Sequence, residues 1–577
     1  MLAAAALAVA PELIRGSSCG HDFDVHLVSW LDCANAWRHG ILYPHWTPSP
    51  NYAAGEPRFV FYPPLTWMAG AALGLVLGWQ LAPIVFTFLV LGATGLATRA
   101  LALTVLEEGA ATLAGCASIF SGFTLFTAYE RTAFPEFMGG VWLPLLLLFA
   151  LRERRPTEGV LSRALDGSAF PLAVVLGASW LSNAPLGVIA SYLLAAVALV
   201  AALLRRSWAP VIRAVLASVL GLGATAFYWI PAKLEQRWVD IRQATEDPGY
   251  NFENNWAFAR HLDPRLLLHD VVLNQVSWIS VTMIAVALAS AIVCRRRGVF
   301  AGRAESRVWW MVFAGIPLVV LFVLFPVSRP LWSLPEWKFL QYPWRWMEAV
   351  EAPMAILLAR AVWPAGKIAK RIVAGVCAAA FLGATVYASM NYFQACWTED
   401  TVASVVASYR AGAGFEGMNE YEPPNSELEG IATGLPDACL VSDAKTVLGK
   451  PGEDGANPAW GAQDGSCIAA FSWRGGQDTN PEHRTMSATA GQSGFLVLRL
   501  LSYPSWDVRV NGKRATSLPR RADGLIAVPV ERGPVQLTVD WTTPDDVWIS
   551  RWLSLAGLIA LLAVALLERG DERTQLS

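Results

Sequence analysis

Residues 20–30 read GHDFDVHLVSW, and place Asp22 and Asp24 between His21 and His26 in a chain that is only 16% charged. A positioned carboxylate can take a proton from an attacking hydroxyl. Two aspartates one residue apart can also hold a divalent cation. That D-x-D spacing arises often by chance, so a cation is allowed but not favoured. Four of the seven histidines, His21, His26, His39 and His45, lie in this part of the chain. Further charged groups stand in AYERTAFPEF (Glu130, Arg131, Glu136), after FYWIPA (Lys233, Glu235) and in LQYPWRW (Arg345), with Lys338 just before the last. Guanidinium groups grip phosphate bidentately. Each group has a plainer reading as well. The arginines would anchor helices at headgroups, Glu130 and Glu136 would pair locally with Arg131, and the histidines would be solvated loop residues.

The elements that must position these groups are membrane helices. The chain has 577 residues and is 54% hydrophobic and 16% charged, against roughly 25% charged residues in an average soluble protein. Long apolar runs at 2–14, 64–80, 81–103, 109–127, 139–152, 169–182, 185–204, 210–227, 271–294, 308–325, 345–363, 372–392 and 547–567 alternate with short polar connections. The first is too short to cross a bilayer. It lacks a basic leader, and Pro11 follows its Ala-Val-Ala, so it reads as the remnant of a first span rather than a signal peptide. The net charge of -2 gives no case for nucleic-acid binding, and no zinc-finger, P-loop or dinucleotide-binding pattern is present.

Basic clusters orient the spans. They lie at Arg152, Arg154 and Arg155, at Arg205 and Arg206, at Arg295 to Arg297, at Lys367, Lys370 and Arg371, and at Arg569 and Arg573. With all of them cytoplasmic, the loops 228–270 and 326–344 and the segment 393–546 lie outside. The first half then holds one helix too many, so 64–80 or 139–152 is expected to fall short of a full crossing. The runs GFLVLRLLSYPSWDVRVNGKRA and GLIAVPVERGPVQLTVDW are strand-like and are broken at Asn511-Gly512 and Gly533-Pro534, which predicts a small β-sandwich-like outer domain. Cys116, Cys294 and Cys377 read as packing residues. A Cys439–Cys467 disulfide is plausible outside the cytoplasm, and a Cys19–Cys33 pair less so.

After His26, Leu27, Leu31 and Ala34 recur at helical spacing, with Val28 and Trp37 nearby. Asp24, Asp32, Asn35 and Arg38 fall elsewhere around the wheel. This predicts an amphipathic helix lying on the membrane surface, with Trp30, Trp37, Tyr43, Trp46 and Tyr52 in the interfacial zone.

GHDFDVH, LYPHWTPSPNYAAGEPRFVFYPPLTW, AYERTAFPEF, SNAPLGVIASY, AFYWIPAKLE and LQYPWRW together resemble bacterial membrane proteins labelled pyruvoyl-tetrahydropterin synthase-related. Nothing in the chain is like a small soluble pterin synthase. The architecture is similar instead to the GT-C glycosyltransferases. The expected fold is therefore an all-α polytopic membrane protein, GT-C-like, of about 12–13 transmembrane helices with a C-terminal extracytoplasmic β-rich domain. Expected divisions are a transmembrane domain 1–392 with first outer loop 15–63, an outer domain 393–546, and a last helix and tail 547–577.

The resemblance implies transfer of a sugar from a polyprenyl-phosphate donor lipid to a glycan, lipid or protein acceptor outside the cytoplasm of a bacterium. It implies Asp22 as general base, with Asp24 as runner-up and Glu130 and Glu136 as further acid-base candidates. His21, His26, Arg131, Lys233 and Arg345 would bind substrate, and no metal ligand is assigned. Two other functions remain open at this point. One is a transporter of a lipid-linked intermediate, which would place ionisable groups at the bilayer midplane. The other is a non-catalytic scaffold of the same shape.

Overall fold

The computed structural model describes residues 1–152, 168–299, 304–426, 428, 431, 435–445, 467–476 and 479–574. Arg154 and Arg155 lie outside these residues, as do the side chains of Arg569 and Arg573. Helices occupy every stretch expected to span. Among the described residues eight are long and apolar enough to cross a membrane, or nine if Ala209–Ala224 and Ala226–Trp238, bent by 76°, form one broken span. The rest are short. The stretch 2–14 is two helices, Leu2–Ala8 and Ala10–Arg15, and Glu348–Val362 has 15 residues. Pro64–Leu77 and Ala169–Ser182 have 14 residues each. At 1.5 Å per residue such a helix reaches about 21 Å, short of a hydrocarbon core of about 30 Å. Of the two stretches predicted to fall short in the first half, it is thus 64–77 that does. Phe134–Leu151 reaches 18 residues.

Basic groups gather at one end of the bundle. There Arg205 Nη2 donates to the Leu151 carbonyl at 2.6 Å, Arg213 Nη1 to Arg152 at 2.7 Å and Arg297 Nη1 to Ala361 at 2.7 Å. Lys370 pairs with Glu107 at that end. The opposite end carries the first loop and the β-domain.

The helix Phe23–Arg38 forms where periodicity predicts it but does not lie open on a surface. Leu27 to Ala34 are all buried. Trp30 packs on Phe86 and Phe134, with ring centroids 5.5 and 4.9 Å away. It also lies against Gly70 of Pro64–Leu77, where an added Cβ would come within 2.0 Å of the indole. On another side Asp32 accepts from Ser49 Oγ at 2.6 Å and Tyr409 Oη at 2.9 Å. Tyr409 belongs to the helix Val402–Ala411, far along the chain. Asp32 of the polar face is thus covered by Ser49 and the helix Val402–Ala411, whereas Asp24 and Arg38 stay exposed.

The C-terminal β-domain is two four-stranded antiparallel sheets. β1 (Ala438–Val441), β2 (Ala469–Phe471), β4 (Gly494–Leu501) and β7 (Leu525–Val530) form one sheet, in the order β2-β1-β4-β7. β3 (His483–Ala490), β5 (Trp506–Val510), β6 (Lys513–Arg514) and β8 (Gly533–Trp541) form the other, in the order β3-β8-β5-β6. Asn511 and Gly512, both at positive φ, make the tight β5–β6 turn. Gly533 opens β8 as the chain crosses between sheets. Leu440, Leu498, Ala527, Val508, Leu537 and Val539 form the shared core.

This domain is docked on the bundle. Trp46 of the first loop packs against Trp506 and Trp541, at 5.1 and 5.9 Å. Tyr503 donates to Glu235. Cys439 is disulfide-bonded to Cys467, and Cys19 to Cys396. Cys33, the partner weighed for Cys19, is instead buried in its helix as a free thiol.

Candidate functional site

A cavity of about 770 Å³ opens at the β-domain end of the bundle. His21, Asp22, Arg131, Tyr342 and Arg345 line its polar end. Trp180, Pro185, Val188, Leu222 and Trp229, from the bundle helices, make an apolar wall. Lys233 also faces it, ion-paired with Glu336 at 2.8 Å.

Local backbone breaks aim the charged groups. The helix that starts at Glu108 ends in a π-turn, Thr127–Arg131, succeeded by Thr132 in the left-handed region (φ 49). Such turns are rare and often found at functional sites, because the extra residue re-aims the chain beyond it. Here it turns the Glu130 and Arg131 carbonyls to the His21 and Asp22 backbone N–H groups, at 3.3 and 2.9 Å. Pro135 then opens the short turn Phe134–Phe137, which brings Glu136 back beside Arg131. Arg345 lies in the 3₁₀ turn Pro343–Met347 that leads into Glu348–Val362.

The result is a chain of alternating charge. Asp22 Oδ2 accepts from Arg131 Nη2 at 2.9 Å. Glu136 Oε2 accepts from Arg131 Nη1 at 2.6 Å and from Arg345 Nε at 3.1 Å. Arg345 Nη1 donates to the Leu340 carbonyl and to Gln341. Both guanidiniums lie over aromatic faces, Arg131 at 4.9 Å from the Trp344 ring and Arg345 at 4.7 Å from Tyr342. Arg131 and Glu136 are almost wholly buried, whereas the Asp22 side chain is 36% exposed. Among the described residues, Asp22 Oδ1 and Arg345 Nη2 have no hydrogen-bond partner. The two carboxylates already neutralise the two guanidiniums, so this cluster carries no surplus positive charge, and Arg345 Nη2 is left as an open donor.

The structure therefore brings His21, Asp22, Arg131, Lys233 and Arg345 to one cleft, with Glu136 hydrogen-bonded behind them. The other candidates lie elsewhere. Asp24 is exposed and accepts the Val25 N–H at 2.8 Å. Glu130 accepts from Gln394 Nε2 at 2.6 Å and is not paired with Arg131. His26 is sealed between Tyr62 and Phe134, and burial pushes its imidazole down to about 4, so it is neutral at pH 7. Asp22 and Asp24 diverge, and among the described residues no group of three or more His, Cys, Asp or Glu side chains is placed to hold a metal ion.

Other buried acids carry no mark in the motifs of the sequence. Glu348 packs over Gly139, whose missing side chain makes the room. Glu351 accepts from Ser121 Oγ at 2.6 Å and from Thr124. Both lie in the stretch 345–363, and their paired spacing within an apolar run is the signal that could have found them. Glu56 and Arg58 form a buried ion pair at 2.6 Å beneath the first loop.

No family model matches the chain, and no curated protein matches it. The pterin-synthase-related label thus gains no support. Solved structures that are similar in part include the following two. One is the Archaeoglobus fulgidus oligosaccharyltransferase in complex with Zn and sulfate, with TM-score 0.43 and 13% identity over 69% of this chain. The chain spans 53% of that protein, about half its length. The other is ArnT from Cupriavidus metallidurans bound to undecaprenyl phosphate, with TM-score 0.40 and 15% identity over 71% of this chain and 77% of the other.

Proposed function

We propose that the protein is a membrane glycosyltransferase that moves a sugar from a polyprenyl-phosphate donor to a glycan, lipid or protein acceptor on the outer side of a bacterial cytoplasmic membrane. One observation carries this reading. Asp22 Oδ1 and Arg345 Nη2, both without a protein partner among the described residues, border the same cleft where its charged end meets an apolar wall. A lipid phosphate needs a donor for its oxygens, which Arg345 Nη2 offers, and a greasy surface for its chain, while Asp22 Oδ1 is an acceptor open to a hydroxyl.

The positions support the following chemistry. Asp22 takes the proton of the acceptor hydroxyl. The acceptor oxygen attacks the anomeric carbon from the face opposite the phosphate, forming the new C–O bond. The old bond to the phosphate oxygen breaks, and the electron pair leaves with the phosphate. Arg345 receives the charge that develops there. Arg131 holds Asp22 in place, and Glu136 holds both arginines.

The test is replacement of the native gene by Asp22→Asn and, separately, Asp24→Asn, with envelope glycans profiled by mass spectrometry. Asp22→Asn loses the product by at least about a hundredfold, the usual contribution of a general base, while the protein still inserts. Asp24→Asn keeps it. Retained product in both variants would contradict the proposal.

A further inference from the structure

The cleft has a roof built by the segment that leaves the bundle for the β-domain. Gly417, Met418, Asn419, Glu420 and Tyr421 all line it. This strap is pinned along its length. Phe415 N donates to the Ser49 carbonyl at 3.0 Å, and Met418 N to Glu56 Oε2 at 2.9 Å. Tyr421 stacks on Phe61 with centroids 5.4 Å apart. At Gly417 the strap passes so close to Asn51 that an added Cβ would come within 2.0 Å of its amide oxygen. The ion pair of Glu56 with Arg58 locks the floor beneath it.

On this fixed strap Glu420 stands apart. It is 9% exposed, and among the described residues no side chain donates a hydrogen bond to it. Its ionised neighbours, Glu56, Arg58 and Asp247, act at a distance, and burial pushes its carboxyl up to about 7. Tyr62 and Tyr250 each lie within electrostatic reach of both Asp22 and Glu420, and both carboxylates line the same cleft. Its own backbone N–H donates to it, but a buried carboxylate that lines a cleft and has no side-chain donor keeps acceptor capacity that a ligand's hydroxyls can fill. Between Glu420 and the Asp22–Arg345 end, the groups that would lie there in a sugar-phosphate lipid are the sugar hydroxyls.

We propose that Glu420 is a specificity residue that accepts hydrogen bonds from the hydroxyls of the bound sugar, presented by a strap that belongs to neither the bundle nor the β-sheets. The inference rests on the reading of the cleft as a sugar-phosphate lipid site. It divides recognition between two parts of the fold. Arg345 takes the phosphate, and the strap reads the sugar.

The test uses the full chain in nanodiscs and the fluorescence of Trp180 and Trp229, which line the cleft. Undecaprenyl phosphate and undecaprenyl phosphates bearing a hexose, an N-acetylhexosamine or a pentose are titrated into the wild type, Glu420→Gln and Glu420→Asp. Expected is tighter binding of at least one sugar-bearing lipid than of the bare lipid in the wild type. Glu420→Gln should weaken that lipid about tenfold or more, the scale of a hydrogen bond to a charged group. It should leave the bare lipid unchanged, and Glu420→Asp should recover part of the loss. A purely structural role would move both lipids together and would overturn the inference. So would an unchanged ratio in Glu420→Gln, or no preference for any sugar in the wild type. Failure of the bare lipid to bind the wild type would instead remove the reading of the cleft itself.

Discussion

At the scale of single residues, function depends on which polar atoms the fold has already satisfied. Arg345 Nη2 is left open, so Arg345→Gln should weaken undecaprenyl phosphate binding about tenfold or more without unfolding the protein, as read by the same fluorescence titration. Equal affinity in the two proteins would count against the phosphate site. Asp32 supplies a separate test. Burial pushes its carboxyl up to about 6, against the pull of hydrogen bonds from Ser49 and Tyr409. The unfolded value is near 3.9. Between those two pH values the folded protein binds more protons than the unfolded chain, so stability falls as pH rises from about 4 to about 6 and is level in this respect above that. The contribution is on the order of 1–3 kcal/mol. Thermal unfolding at pH 4.5 and pH 7 should show it in the wild type, and Asp32→Asn should flatten the difference. The same pH slope in both would show that Asp32 does not carry it. Asp22, Arg131 and Arg345 stand out in the sequence because charge is scarce and each lies near one end of an apolar run. Glu420 was not legible, since it lies in a polar segment where one more glutamate is unremarked, and only the path of the strap brings it over the cleft.

At the scale of elements, packing against small residues sets where the helices sit. A Cβ at Gly70 would meet the Trp30 ring within 2.0 Å, so Gly70→Ala should cost about 1–3 kcal/mol by overpacking. A fall in apparent Tm in detergent would register it, and an unchanged Tm would mean the helix Phe23–Arg38 has room to shift. The Glu56–Arg58 pair is buried on both sides, so Arg58→Met strands a carboxylate and should cost about 3–5 kcal/mol. The same Tm assay reads this, and Glu56→Gln with Arg58→Met should recover much of the loss. Helix positions were legible from hydropathy alone, and so were the strands of the runs 494–514 and 525–541. The depth of Phe23–Arg38 was not. Its wheel shows a polar side, and nothing local says that Ser49 and Tyr409 will cover Asp32. The π-turn at Thr127–Arg131 was equally hidden, because it depends on contacts with residues more than a hundred positions earlier.

At the scale of the whole molecule, the first loop, the strap and the β-domain form one assembly at one end of the bundle. The Cys19–Cys396 bond closes a separation of 377 residues, three positions before Asp22. Alkylation without reductant should label Cys33, Cys116, Cys294 and Cys377 in the unfolded protein, and reductant should add Cys19, Cys396, Cys439 and Cys467. Labelling of Cys19 before reduction would contradict the pairing. Long-range closure of this kind has no local sequence signature, which is why Cys33 looked the nearer partner. Placement of the basic groups at one end and the cleft at the other was legible, because charge asymmetry between loops acts on the chain as a whole. The central claim is that this cleft holds a lipid phosphate. A structure solved by electron cryomicroscopy in nanodiscs with undecaprenyl phosphate tests it most directly. The predicted result is phosphate density about 3 Å from Arg345 Nη2, with the chain along Trp180, Val188, Leu222 and Trp229. Lipid density confined to the outside of the bundle, with the cleft empty, would contradict it.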